Sequence, residues 1–89
     1  MSDPYRLELS ENAEESLRKL DKTVLQRIIR KLRWLAQNAD TIAHTALKGE
    51  WSGFFRLRIG DYRVIYRLDS EGQIIVVELV GHRREIYDD

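Results

Sequence analysis

Eighty-nine residues make one domain with a single small core, because a chain this short buries only about 60–65% of the surface its unfolded form exposes. Fifteen lysines and arginines balance fifteen acidic residues, so no net field marks out nucleic acid as a partner. The chain has no cysteine, which removes disulfides, thiolate metal sites and cysteine nucleophiles, and His44 and His82 lack the spacing of a metal site, so neither metal nor cofactor is expected.

The opening "MSDPYRLELS" has neither a basic stretch nor an apolar run, and the longest apolar run is broken at Glu78. A soluble cytoplasmic protein with no membrane segment is the expectation. Tyr5, Leu7 and Leu9 alternate with Arg6 and Glu8, the period of a half-buried strand. Ser10 then caps a helix whose acidic start, Glu11, Glu14 and Glu15, suits the positive end of its dipole. Its inner stripe is Ala13, Leu17 and Leu20.

Residues 21–23 offer a short break. Beyond it Val24, Leu25, Ile28, Ile29, Leu32, Leu35 and Ala36 recur at helical spacing to about Asn38, and two helices joined so tightly form an antiparallel hairpin. Residues 18–33 hold Arg18, Lys19, Lys22, Arg27, Arg30, Lys31 and Arg33 against Asp21 alone. On the second helix these charges fall opposite the apolar stripe, as a solvated face or as a contact for phosphate backbone. Residues 39–53 read as a loop in which His44 has no chemistry, and Trp34 and Trp51 read as packing aromatics.

From Phe54 the pattern supports a register. Gly60 and Asp61 fit a two-residue hairpin loop that pairs Ile59 with Tyr62, Arg58 with Arg63, Leu57 with Val64, Arg56 with Ile65 and Phe55 with Tyr66. One face is then wholly apolar or aromatic, and the other carries Phe54, Arg56, Arg58, Arg63, Ile65 and Arg67. The turn "DSEG" at 69–72 opens a third strand that pairs Arg67 with Ile74 and Arg63 with Glu78. Ile75, Val77 and Leu79 then extend the apolar face. The expected fold is α+β, in the order β-α-α-β-β-β, with a helical hairpin on one face of a small antiparallel sheet.

Arg58 opposite Arg63 is a like-charge pair, destabilising by a few tenths of a kcal/mol, on the order of the ordinary cross-strand effect. Every Lys or Arg position beyond Lys48 is arginine, whose fixed fork of donors matches phosphate. The face is either a solvated surface of arginine stems or a concavity for a polyanion. The tail "VGHRREIYDD" adds His82, Arg83, Arg84 and Tyr87. Metal-free RNA cleavage needs a base for the 2′-hydroxyl, stabilisation of a pentacoordinate phosphate and an acid for the 5′-oxygen. Arginines supply the second. For proton transfer, histidine titrates near neutrality, and a tyrosine serves once neighbouring arginines lower its pKa from about 10.

"LKGEWSGFFRLRIGDYRVIYR" (47–67) followed by "VVELVGHRREIY" (76–87) resembles the RelE branch of the RelE/ParE superfamily of bacterial type II toxin–antitoxin systems. The element order matches as well, so the resemblance covers the whole chain as one domain, 1–89. It implies a fold related to small microbial ribonucleases, and an mRNA endonuclease that works in the A site of the 70S ribosome. Such an enzyme leaves a 2′,3′-cyclic phosphate and is silenced by a RelB-like antitoxin, in a complex that binds its own operator DNA. On this resemblance Arg56 and Arg58 stand where RelE has lysines and bind substrate. Arg63 matches the phosphate-binding arginine, Arg83 the C-terminal catalytic arginine and Tyr87 the family's tyrosine, while His82 stands at a lysine position. Arginine holds its proton too tightly to act as a base, which leaves Tyr87 or His82 for that role. The alternatives are a ParE-like toxin that binds DNA gyrase, and a homologue that retains only antitoxin and DNA-complex assembly.

Overall fold

In the computed structural model, residues 4–86 are described, and Tyr87 lies outside them. The elements are β1 (Arg6–Leu9), α1 (Glu11–Arg18), α2 (Lys22–Asn38), β2 (Thr45–Ala46), β3 (Phe55–Ile59), β4 (Tyr62–Asp69) and β5 (Ile74–His82), with one 3-10 turn at Gly49–Trp51. Ser10 caps α1 as expected, its side chain accepting from the Ala13 N–H. The break before α2 falls two residues earlier than the sequence suggests, at 19–21, because Asp21 is itself the cap, accepting from Val24 N–H, and the helix begins at Lys22.

Among the described residues five strands form one sheet in the order β1-β5-β4-β3-β2. The expected small antiparallel sheet is found, with one edge that departs from it, where β1 runs parallel to β5. The helices cover one face, α1 over β5 and β1, α2 over β1 and β3. Ala13, Leu17, Ile28, Leu32 and Leu35 close against Val64, Tyr66, Ile75, Val77 and Val80. β1 is also tied to the helical layer, since Tyr5 donates its N–H to Ala36 O and its hydroxyl to Asp40 Oδ1, at 2.9 and 2.7 Å. That bond to a carboxylate, with burial, holds the Tyr5 phenol above its ordinary pKa.

The β3–β4 register is the expected one, closed by Gly60 at φ +58°. A left-handed first turn residue matches the twist of the strands and suits glycine. The β4–β5 register is not. Asp69 pairs with Ile74 and Arg67 with Val76, so the loop is residues 70–73, two positions from the expected pairing. Then a β-bulge intervenes. Tyr66 faces Val77 but Ile65 faces Leu79, which leaves Glu78 as the extra residue. Beyond it the facing of β5 inverts: Val80 joins the core opposite Val64, Leu79 leaves it, and Gly81 rather than Glu78 lies opposite Arg63.

The bulge has a specific support. Ser10 donates its N–H to Val77 O at 2.9 Å and its hydroxyl to Glu78 O at 2.7 Å, so the carbonyl displaced from the ladder is satisfied. His44 is likewise structural. Its Nε2 lies 2.7 Å from Ala39 O and must donate, so Nδ1, 2.6 Å from the Tyr66 hydroxyl, accepts. Burial pushes the Tyr66 phenol up to about 12.

This packing makes two effects measurable. Leu35 is fully buried, and Leu35→Ala should lower the unfolding free energy in urea by about 2–5 kcal/mol. Tyr66 keeps its proton in the folded chain above the pH at which an unfolded tyrosine loses it. Its contribution is therefore complete below about pH 10 and drains away as pH rises toward 12. Alkaline unfolding followed by tyrosinate absorbance should show this slope, shallower in Tyr66→Phe.

Candidate functional site

The face turned away from the helices carries the arginines. β3 presents Arg56 and Arg58, and β4 presents Arg63 directly opposite Arg58. Ile65 on this face is 1% exposed and stands outside the main core cluster, as does the buried Leu47, so the outer face has an apolar floor of its own. Arg63 is 7% exposed. Its Nη1 donates to Gly60 O and Tyr62 O, each at 3.0 Å, so the hairpin turn that sets the register also fixes this guanidinium. Arg58 is exposed and Arg56 half-buried.

Gly81 completes the row formed by Arg58 and Arg63. A Cβ added there would meet Ile86 Cδ1 at 3.0 Å, so the chain after β5 folds back close over the sheet and a side chain at this point would have to displace Ile86. Arg83 stands at the rim beside the hairpin tip. Its N–H donates to Asp61 O at 2.7 Å, and its Nε lies 3.8 Å from Asp61 Oδ1. Because of the bulge, His82 faces the other way. Its ring is edge-on to Tyr62, in a cavity of about 250 Å³ also lined by Ser16, Lys19 and Glu85. The structure thus gathers Arg56, Arg58 and Arg63 on one surface with Arg83 at its edge, and sets His82 on the opposite side.

A second cleft, of about 450 Å³, carries the basic surface around β3 onto α2, lined by Lys31, Trp34, Thr45, Arg56, Arg58 and Tyr66. Trp34 is 38% exposed rather than packed inside, with Lys31 Nζ 3.8 Å from its ring centre. Lys31 is the residue that sequence reasoning leaves among the solvated charges of α2. Its signal was Trp34 three positions on, an aromatic on the charged side of an amphipathic helix. Tyr66 lines the cleft too, but a phenol held near 12 stays protonated and does not act as a base.

The arrangement is chemically suited to anions. Guanidiniums supply fixed pairs of donors for non-bridging phosphate oxygens and retain their protons throughout the physiological range. Among the described residues no three of His, Asp and Glu converge in a way that would hold a metal ion. No helix there is long and apolar enough to cross a membrane.

Residues 7–87 match the family model described as the ParE toxin of the type II toxin–antitoxin system parDE. The chain is 30% identical over 84 residues to Toxin RelG of Mycobacterium tuberculosis, covering 94% of this chain and 97% of that protein. It superimposes on the toxin–antitoxin complex RelBE2 of the same organism with a TM-score of 0.81 and 30% identity, over 90% of this chain and 92% of that one. The intact Escherichia coli RelBE complex gives 0.72 and 29%, over 88% and 95%.

Arg63 and Arg58 differ in burial, and that difference is measurable. Arg63→Ala removes a buried side chain together with its hydrogen bonds to the Gly60 and Tyr62 carbonyls, and should cost about 1–3 kcal/mol of unfolding free energy in urea. Arg58→Ala, on an exposed side chain, should stay within about 0.5 kcal/mol of the parent.

Proposed function

The chain belongs to the ParE/RelE family of type II toxins, and on that premise we propose that it is a ribosome-dependent, metal-independent endoribonuclease that cuts mRNA in the ribosomal A site. The observation that carries this reading is Arg63, fixed by its own hairpin turn on a surface shared with Arg56 and Arg58 and rimmed by Arg83. Donors held in place before the reaction stabilise developing charge without reorganising, and removal of one such donor costs about 10²–10³ in rate.

In this mechanism Arg56 and Arg58 hold the mRNA backbone on either side of the scissile phosphate. The 2′-hydroxyl gives up its proton and attacks phosphorus, Arg63 stabilises the charge on the equatorial oxygens, and the bond to the 5′-oxygen breaks to leave a 2′,3′-cyclic phosphate. Arg83 stabilises the charge on the departing oxygen, which takes its proton from water. Tyr87 is the proton acceptor, a choice supported by the position of His82 on the far side of the sheet. A RelB-like antitoxin silences the site by covering the arginine surface or displacing the tail, and the complex binds its own operator DNA in the cytoplasm. The matching family model bears the name of ParE, which keeps gyrase binding as the competing reading.

A reconstituted translation system with defined mRNA separates the two. Cleavage should require ribosomes, fall at A-site codons and drop by about 100-fold or more in Arg83→Ala. Intact mRNA alongside trapped gyrase–DNA breaks would falsify the nuclease reading. Tyr87→Phe should slow single-turnover cleavage strongly. For Arg58→Ala the plot of log affinity against log salt should flatten by about one phosphate contact.

A further inference from the structure

The turn that carries Arg83 is closed at its start by an imidazole. His82 Nδ1 accepts the backbone N–H of Arg84 at 3.2 Å. A donor facing Nδ1 requires that nitrogen to be unprotonated, so the ring proton sits on Nε2. The same residue's carbonyl accepts from Glu85 N at 2.8 Å and Ile86 N at 3.2 Å, and its N–H donates to Glu85 Oε1 at 3.4 Å. His82 therefore organises the whole return of the chain, while its ring is anchored edge-on against Tyr62 with centroids 5.5 Å apart.

We propose that His82 is a positioning residue for Arg83: its neutral Nδ1 closes the turn as an Asx side chain would, and protonation opens it, which makes the arginine site acid-sensitive through geometry rather than through proton transfer. The effect on cleavage rests on the nuclease reading above; the effect on the turn does not.

Of the links in this turn, the one to Nδ1 is the one that a proton on the ring removes. An imidazolium would present N–H to N–H, a repulsive pair in place of a bond. The charged groups around it act in opposite senses. Lys19 at the C-cap of α1 repels a charged ring, while Glu85 in the turn, whose Oε1 accepts the His82 N–H, attracts it; Ser16 of α1 and Tyr62 of β4 complete the walls. Lys19 is partly offset by Glu15, 3.7 Å from its Nζ. Once the Arg84 N–H is released, Arg83 is held through Asp61 at the hairpin tip.

Asparagine distinguishes this role from that of a base. Its Oδ1 is as many bonds from the backbone as Nδ1, it accepts the N–H two residues on, and it does not titrate. Relative to the parent, His82→Ala should lower kcat about 10- to 100-fold with KM for mRNA nearly unchanged, as expected of a misplaced catalytic group. His82→Asn should restore most of that loss and flatten the acid limb of the pH profile. Equal inactivity of the two variants would overturn the proposal in favour of proton transfer.

Amide exchange at Arg84, followed by NMR, decides the matter without any cleavage assay. Protection should be present at neutral pH in the parent and in His82→Asn, absent in His82→Ala, and lost in the parent on acidification. Protection that persists in His82→Ala, or in the acidified parent, overturns the proposal. Should the parent not cleave RNA at all, the nuclease reading falls and this measurement still gives its answer.

Discussion

A single hydroxyl connects the first helix to the far end of the sheet. Ser10 accepts from Ala13 N–H as the cap of α1 and donates to the Glu78 carbonyl, the group that the β-bulge pushes out of its ladder. A bulge in a central strand leaves a backbone acceptor unpaired, at a cost of roughly 1–3 kcal/mol if it stays so. Here the cost is offset by a side chain already held in place for capping. The facing of the rest of β5 depends on that extra residue. In a regular ladder Val80 would stand opposite Arg63 and Gly81 opposite Tyr62. The bulge moves Val80 into the core and brings the residue with no side chain opposite Arg63, where Ile86 then folds over it. Helix capping, core closure and the shape of the arginine surface are thus one constraint.

The parts of this arrangement that were legible in the sequence are those that alternation and turn chemistry specify together. Between β3 and β4 a one-residue slip would have put arginines into the core, and Gly60 left one pairing that avoids it. Between β4 and β5 the same test loses its force. A shift of two residues preserves both faces, and Ile74, Ile75, Val76 and Val77 are apolar on either side, so the pattern accepts several pairings. The loop that decides among them uses Gln73 at φ +53°, a conformation for which glutamine gives no signal. The bulge was equally invisible, because either Leu79 or Val80 serves as a core residue. The parallel edge at β1 depends on a contact spanning most of the chain, which local periodicity does not encode.

For the candidate site, residue identity was easier to read than orientation. Arg56, Arg58 and Arg63 share a surface because the hairpin register was legible. The inward turn of His82 results from the bulge, and the burial of Arg63 from two turn carbonyls that no side-chain pattern reports. Trp34 was expected to pack and stands half out of the fold under Lys31, so the basic surface reaches around β3 to α2. The overall neutrality of the chain hides this segregation, since Glu11, Glu14 and Glu15 lie on α1, on the helical side of the sheet.

β2 pairs only with Phe55 and Arg56, so among the described strands residues 57–59 of β3 form the border of the sheet. An exposed border strand is a template for a second copy of the same chain, and the usual protection is charge. Two molecules approaching there in antiparallel fashion would bring Arg58 of one against Arg58 of the other. The guanidinium that suits a phosphate also opposes pairing along that border, so protection of the edge and ligand preference rest on the same side chain. A substitution that removes its charge would weaken both properties at once.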